Sequence, residues 1–572
     1  MAEKSKSKDT TIHSEKKLQL INEKDLIMRN VSIVEIDKIV QCLNEGKFYL
    51  FRGADILDFK NSIDWEHQHT HSASTYQVYL HSLDIIACLC HQYRKTKEVW
   101  LLEKSHTILN SWLEYDKLAK GEWTQKKPSI KMWYDHPVAC RALTITLLYT
   151  LSKDVIELDE EVIYNCLVKH AQFLYQDKNY ARNNHGIMMD QALILSSIVL
   201  AEHKNAQHWK NKAIIRMKEA FNRDFSAKGT HLENSPDYHK LVMNLFIKIE
   251  KFLKKNKLTL GENINNRIDL AQQYFQYLLK PDQKIPLLGD SSLLVAHPNK
   301  KRYNPFIDIQ AGIAIFQHLI ENNPEFSTWL SFTCGYGSKT HKHHDDLSFN
   351  LFWKGKDIFV DSGKYNYDKK SKYRQYVTSP LAHNTITIEG LSYELDNPLT
   401  DRKKITITDF INNSIYDLVK GKNLNYNGRE IYRTLIFLKP DIVIIFDKIS
   451  GNSNSQGLQL FNLAPHIKIL ETKNNHLRIK SDDEVIEIIP LLAVDNLKIH
   501  HGDRETPRGV ISQKFASLTD ISQVEFSKQG EKLEFLTLIK LGETGVLPDT
   551  KYDQTTSQLS IKTSEHQFDV SL

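Results

Sequence analysis

The stretch HKHHDDLSFNLFWKGKDIFVDSG, residues 341–363, crowds His341, His343, His344, Asp345 and Asp346 into six positions ahead of an alternating run. In an extended chain His341 and His343 point to the same face, which suits joint use in one site. Asp361 returns after one further strand, and His383 stands before another in AHNTITIEG. A His–Asp–His set suits Zn²⁺ or another divalent transition metal better than Ca²⁺, which takes more oxygen ligands. The competing reading is a solvated polar turn that happens to carry histidines, and spacing alone leaves the two balanced.

Three further clusters carry groups capable of proton transfer or anion binding. NYARNNHGIMMDQALI (179–194) holds Asn183, Asn184 and His185 before an apolar-periodic run, where an asparagine can equally be a helix cap. GTHLENSPDYHKLVMNLF (229–246) offers Glu233, Ser235, Tyr238 and His239, and KMWYDHPVACRALTI (131–145) offers Trp133, Tyr134, His136 and Arg141. Each is weak alone, and caps or core aromatics account for any one of them. Together they gather polar and aromatic residues at the starts of successive helices. In a ring of helical hairpins those starts fall on one rim and line a groove. If a following domain docks over that rim, His341 can face Asn184 and Tyr238. The first cluster also invites comparison with the HxHxDH box of metallo-β-lactamase-like hydrolases, but Asp346 stands where the last histidine belongs. That box also opens its fold, whereas here it follows a long helical region.

The elements that must position these residues change period part-way along the chain. Residues 31–322 show apolar spacing of i, i+3, i+4 and i+7, as in YQVYLHSLDIIACLCHQY and HKLVMNLFIKIEKFLKK, which predicts helical hairpins in series. Residues 323–572 alternate, as in LSFNLFWKG, RTLIFLKPDIVIIFDKISG and EKLEFLTLIKLG, which predicts an antiparallel β-sandwich with LKPD as a hairpin turn. Residues 1–30 are expected to be disordered or loosely ordered.

At 572 residues, 41% apolar and 25% charged, the chain has the composition of a globular protein of two or more domains. A net charge of +5 from 75 basic and 70 acidic residues is mild, and no basic block with interleaved aromatics supports nucleic-acid binding. No apolar run is long enough to span a membrane. The six cysteines include no CxxC pair and read as buried reduced thiols. The first 20 residues show no apolar signal core, so a cytoplasmic location is expected, with the periplasm or secretion open if a signal was removed.

On NNHG (183–186), ENSPDYH (233–239), PLLGDSS (286–292), HKHHDDLSFNLFWKGKDIFVDSGKYNYD (341–368) and YRQYVTSPLAHNTITIEG (373–390), the chain resembles the heparinase II/III-like polysaccharide lyases over roughly residues 40–570. The resemblance implies a multidomain α + β fold, an (α/α) toroid followed by an antiparallel β-sandwich. It implies that Asn184 and His185 neutralise and orient a uronate carboxylate, that Tyr238 is the catalytic tyrosine, and that His341 is a second base. It implies one divalent metal in a structural role on His343, Asp361 and His383, zinc first, with manganese or calcium as alternatives. Lys342 and His344 depart from the family turn, which often carries Gly and a small residue there.

The implied chemistry is β-elimination from a 4-O-linked uronate in an anionic polysaccharide or oligosaccharide, of glycosaminoglycan type first and alginate or another polyuronate second. The proton on C5 becomes removable only when charge on the carboxylate is stabilised, and an acid must protonate the departing O4. Tyrosine's ordinary pKa of about 10 is high for a base, so a cation such as His239, Arg374 or Lys342 is expected to lower that of Tyr238. Arg374, Tyr376, Trp133, Tyr134, His136, Arg141, Glu233 and His239 are candidate substrate-binding residues. A glycoside hydrolase would need two opposed carboxylates from Glu233, Asp135 and Asp190. A carbohydrate-binding protein without catalysis would keep the scaffold alone.

Overall fold

A computed structural model describes residues 17–26, 33–58, 62–69, 73–119, 129–296, 300–543, 547–564 and 566–572. The chain packs into two units, Met1–Arg223 with Leu245–Asn265, and Asp224–Asn244 with Asn266–Leu572. The helices Pro236–Lys255 and Glu262–Leu278 contribute residues to both.

The first unit is helical and includes Ala73–His81, Asp84–Thr96, Trp100–Ala119, Asp135–Ser152, Glu160–Tyr175 and Asn184–Val199. Glu160–Tyr175 buries one stripe, Ile163, Leu167, His170, Ala171 and Leu174, and Asp159 caps it on the Val162 N–H. Asp135–Ser152 and Asn184–Val199 are instead buried on nearly every side, so they form the centre of the unit. Residues 17–26 are ordered, against the loose segment expected over 1–30. Leu18, Ile21 and Leu26 are buried, and the Gln19 N–H donates to the Val199 carbonyl at 2.8 Å. Residues 1–16 and 27–30 lie outside the described residues.

The second unit is built on two antiparallel sheets. Five strands, Phe306–Asp308, Ile313–His318, Thr328–Thr333, Ser348–Trp353 and Lys356–Phe359, form a meander in chain order. The larger sheet is ordered Lys468–Lys473, His476–Ser481, Glu484–Pro490, Ser522–Leu541, Ile442–Asn462, Arg429–Leu438, Tyr416–Tyr426, Ile405–Asn412. Ile386–Ile388 also pairs with Ile442–Asn462, and Asn496–His501 with Ser522–Leu541. The hairpin at LKPD pairs Leu438 with Ile442.

Alternation explains why this hairpin reads as a continuous apolar run. Ile431, Leu435, Phe437, Val443 and Ile445 join a core with Phe332, Phe349 and Leu351 of the meander. Ile436, Leu438, Ile442 and Ile444 point the other way, into a second core with Leu559, Ile561 and Val570. A strand buried on both faces keeps no polar side. At the centre Arg433 and Asp447 form a fully buried two-bond pair at 2.6 and 2.7 Å.

The expected helical-to-β boundary at 322/323 is too late, because the strands Phe306–Asp308 and Ile313–His318 precede it. A short buried run such as IAIFQH does not separate strand from helix by periodicity. All six cysteines are buried and unbridged, as expected. Among the described residues no helix is long and apolar enough to cross a membrane.

Candidate active site

In the first unit, two central helices begin side by side. The Asn183 side chain accepts the His185 N–H at 2.9 Å, so Asn184 and His185 occupy the first turn of the helix it caps. His185 Nδ1 lies 3.2 Å from Asp135 Oδ2, and its ring centroid is 5.0 Å from that of His136. A Cβ on Gly186 would stand 2.0 Å from the Ala181 carbonyl oxygen, so only glycine lets the preceding loop fold back this closely. Tyr134, His136, Asn184 and His185 are all half-buried, with Lys131 Nζ 3.9 Å from the centre of the Tyr134 ring.

Trp133 and Arg141, expected as groove residues, belong to the core instead. Trp133 donates to Asp116 Oδ1 at 2.8 Å and packs on His170 and Phe173. Arg141 is fully buried, donates to His170 Nε2 at 2.8 Å and to the His81 carbonyl, and stacks 4.1 Å from the Trp112 ring centre. In a helix buried on every side, position in the sequence does not reveal which side chains meet solvent.

In the second unit, the start of the Pro236–Lys255 helix is stitched to the loop LLGDSS. Ser235 Oγ donates to the Asp290 carbonyl at 3.0 Å, and Asp237 accepts the Ser292 N–H at 3.0 Å. Gly289 has φ +50°, and a Cβ there would lie 2.3 Å from the Asn234 carbonyl oxygen and 3.0 Å from that of His341. This close crossing brings Tyr238, Asp290 and His341 together. The Tyr238 and His341 rings stack with centroids 3.6 Å apart at 19°. Tyr238 Oη lies 3.0 Å from Tyr367 Oη. His341 Nε2 lies 3.7 Å from Glu233 Oε2.

Asp290 is the hub of this cluster, and sequence reasoning missed it. Its buried carboxylate accepts from His341 Nδ1 and from His343 Nε2, each at 2.9 Å, and from both terminal nitrogens of Arg374. Burial alone would raise its pKa, but the histidine bonds, with Arg374, hold it well below the usual carboxylate range. Its only sequence signal was the motif PLLGDSS, which reads locally as a turn. Tyr367, in KYNYD, was likewise absent from the expected site. His341 has φ +58°, so the expected extended HxH geometry does not hold. The two imidazoles meet at opposite oxygens of one carboxylate instead.

His343, Asp361 and His383 are all buried. His383 Nδ1 lies 2.6 Å from Asp361 Oδ1, and the His343 and His383 ring centroids are 5.5 Å apart. Among the described residues no three His, Cys, Asp or Glu side chains converge on a common point as a metal cage. Each of these three nevertheless keeps one buried atom without a hydrogen-bond partner: His343 Nδ1, Asp361 Oδ2 and His383 Nε2. Such atoms cost stability when left unsatisfied. Two imidazole nitrogens and one carboxylate oxygen are a donor set that fits a small divalent cation. Asp290 on the far nitrogen of His343 would fix its tautomer.

The cations expected to activate Tyr238 are engaged elsewhere. His239 is buried, its ring nitrogens meeting the His231 N–H and the Ala271 carbonyl, and burial pushes its pKa down to about 4. It is neither a cation nor a substrate-binding residue. Lys342 is buried against Asp345 and Asp346, whose charges outweigh its desolvation and raise its pKa. The lysine that departs from the family turn thus locks that turn, with Asp345 and Asp346 as support. Arg374 bonds Asp290. Burial therefore holds the Tyr238 phenol above its ordinary value, against the lowering effect of the Tyr367 hydroxyl. Tyr376, another expected groove residue, is buried and its pKa pushed up to about 12 by desolvation. Glu233 and Arg374 remain at the cluster.

The heparinase II/III N-terminus model matches residues 4–312 and the heparinase II/III-like C-terminal model residues 310–555. The chain belongs to the heparinase II/III family. Its similarity to a heparin-sulfate lyase of Pedobacter heparinus is 19% identity over 53% of this chain and 49% of the relative. One from Bacteroides thetaiotaomicron is 20% identical over 74% of this chain and 67% of the relative. The chain thus spans about half the length of the first of these curated relatives. A solved heparinase III with methylated lysines superposes with a TM-score of 0.76 at 15% identity, covering 96% of this chain and 93% of that one. A mutant heparan sulfate lyase from Pedobacter heparinus gives 0.75 at 15% identity, over 97% and 92%. These likenesses establish the family's fold, a helical toroid domain followed by an antiparallel β-sandwich.

Proposed function

We propose that this member of the heparinase II/III family is a polysaccharide lyase that cleaves 4-O-linked uronates, glycosaminoglycan-type chains first among them, by β-elimination. The observation that carries the reading is the stacked Tyr238–His341 pair with His341 oriented by Asp290. Donation of Nδ1–H to Asp290 leaves Nε2 as the lone-pair nitrogen, which is the tautomer a base needs. The raised Tyr238 phenol stays protonated near neutrality, as an acid requires. His341 Nε2 takes the C5 proton, the C5–H electrons form the C4=C5 double bond, and the C4–O4 bond breaks. Tyr238 gives its proton to O4, and Tyr367 stabilises the phenolate that remains. The family resemblance assigns a uronate carboxylate to Asn184 and His185 of the first unit, whose N–H donors can stabilise its charge.

We also assign one divalent ion, zinc by its donor set, to His343, Asp361 and His383. Bound there, it would supply a fixed positive charge that ties three chain segments together, a structural task. The hydrolase alternative loses one candidate, since Asp190 is buried and bonded by Tyr180 at 2.8 Å. The test is a panel of hyaluronan, chondroitin, dermatan, heparan, alginate and glucuronan, read by the ultraviolet absorbance of the unsaturated product. Tyr238→Phe is expected to abolish turnover with the fold intact. A saturated product, or none from any polymer, overturns the lyase reading.

A further inference from the structure

Two large aromatic rings stand in solvent beside the Tyr238–His341 pair. Tyr367 is 48% exposed and Phe515 is 60% exposed, with ring centroids 6.3 Å apart at 43°. Phe515 sits at the tip of a two-stranded hairpin, Val510–Lys514 and Ser517–Asp520. A phenylalanine on such a tip contributes little to a core, and beside Tyr367 it extends an aromatic face that is open to a ligand.

The hairpin is fixed in place. Ser512 N–H donates to the Ser362 carbonyl at 2.7 Å, Ala516 N–H to the Tyr365 carbonyl at 2.7 Å, and Leu293 N–H to the Gln513 carbonyl at 2.9 Å. Gly363, φ +68°, permits the contact, since a Cβ there would lie 2.0 Å from the Ser512 carbonyl oxygen. Both rings therefore stand at set positions relative to the segment 361–367, which also carries Asp361. Tyr367 is tied on its other side to Tyr238 Oη, and the Arg374 guanidinium lies 5.7 Å from its ring centre.

We propose that Tyr367 and Phe515 form a sugar-stacking subsite for the pyranose adjoining the cleaved bond. The C–H face of a pyranose is apolar and covers an aromatic ring, while its rim of hydroxyl or acidic groups reaches Arg374. A sugar resting on Tyr367 has its glycosidic oxygen close to Tyr238 Oη, because the two hydroxyls are in contact. The subsite rests on the uronate-lyase reading of the same site, and Phe515 acts in it through binding alone.

The experiment compares wild type with Phe515→Ala and Phe515→Trp on a uronate oligosaccharide that wild type cleaves. Phe515→Ala is expected to raise KM about tenfold, the order of one aromatic contact, with kcat within about twofold. Phe515→Trp is expected to restore KM. An unchanged KM in Phe515→Ala, or a fall in kcat at constant KM, overturns the subsite. Should wild type cleave no uronate polymer, the lyase reading fails by itself. Calorimetric titration of a glucuronate-containing oligosaccharide then decides the subsite: binding weakened in Phe515→Ala and kept in Phe515→Trp sustains it. Equal binding, or no binding by wild type, overturns it.

Discussion

Replacing Asp290 by asparagine keeps the shape of the hub and removes its charge. The carboxylate is buried and accepts from His341, His343 and both ends of the Arg374 guanidinium. Bonds to a charged partner contribute about 1.5–3 kcal/mol each, and breaking a buried ionic set costs about 3–5 kcal/mol. Asparagine keeps one acceptor oxygen but turns an NH₂ toward another donor, so Asp290→Asn is expected to lose about 3 kcal/mol of unfolding free energy. Urea unfolding measures this, provided the denaturant slope is unchanged. A cycle with Arg374→Met should give a coupling of at least about 1.5 kcal/mol, because the two side chains share one network. Turnover should fall by about 100-fold or more, the contribution of a well-oriented base, since the His341 tautomer is no longer imposed. A cost below about 1 kcal/mol with no coupling would refute the hub.

Tyr367→Phe removes the hydroxyl that lowers the Tyr238 pKa, so the basic limb of the pH–rate profile should move to higher pH. An unmoved limb would mean that Tyr238 is not the acid. Burial pushes Asp190 up to about 8, against Tyr180 and Arg216, from an unfolded value of about 4. The folded state therefore holds the extra proton across that window, and its contribution is full below pH 4 and lost as pH rises through about 8. Asp190→Asn should flatten this slope in a pH series of unfolding curves, and an unchanged slope would contradict the assignment. Chelation should lower the melting temperature and release one equivalent of metal by elemental analysis, while His383→Ala should bind none. Equal metal content in His383→Ala would place the ion elsewhere.

The change of period near the middle of the chain was legible because helices of the first unit such as Glu160–Tyr175 bury one stripe and surface strands alternate. The two halves of the cluster were legible through residue type, since Tyr238 and His341 stand in unusual polar company. What failed was direction. Arg141, Trp133, His239 and Tyr376 have chemistry suited to a groove, but packing turns each inward, and no local pattern encodes that. Asp290 was hidden for the opposite reason. A lone aspartate in a turn gains meaning only from partners 51, 53 and 84 residues away in sequence.

The buried Arg433 has a reach beyond its pairing with Asp447. One guanidinium nitrogen donates to the Leu347 carbonyl and to the Asn384 carbonyl, each at 2.7 Å, and Asn384 itself clamps the Phe349 and Val360 carbonyls. The turn that begins at His341 and the segment holding His383 are thereby suspended from the middle of the largest sheet. The buried amides that follow the His341 turn, such as the Leu347 N–H on the Thr333 carbonyl, should exchange through the slow opening of the hairpin that carries Arg433, so that losing the cluster and losing the sandwich are one cooperative event.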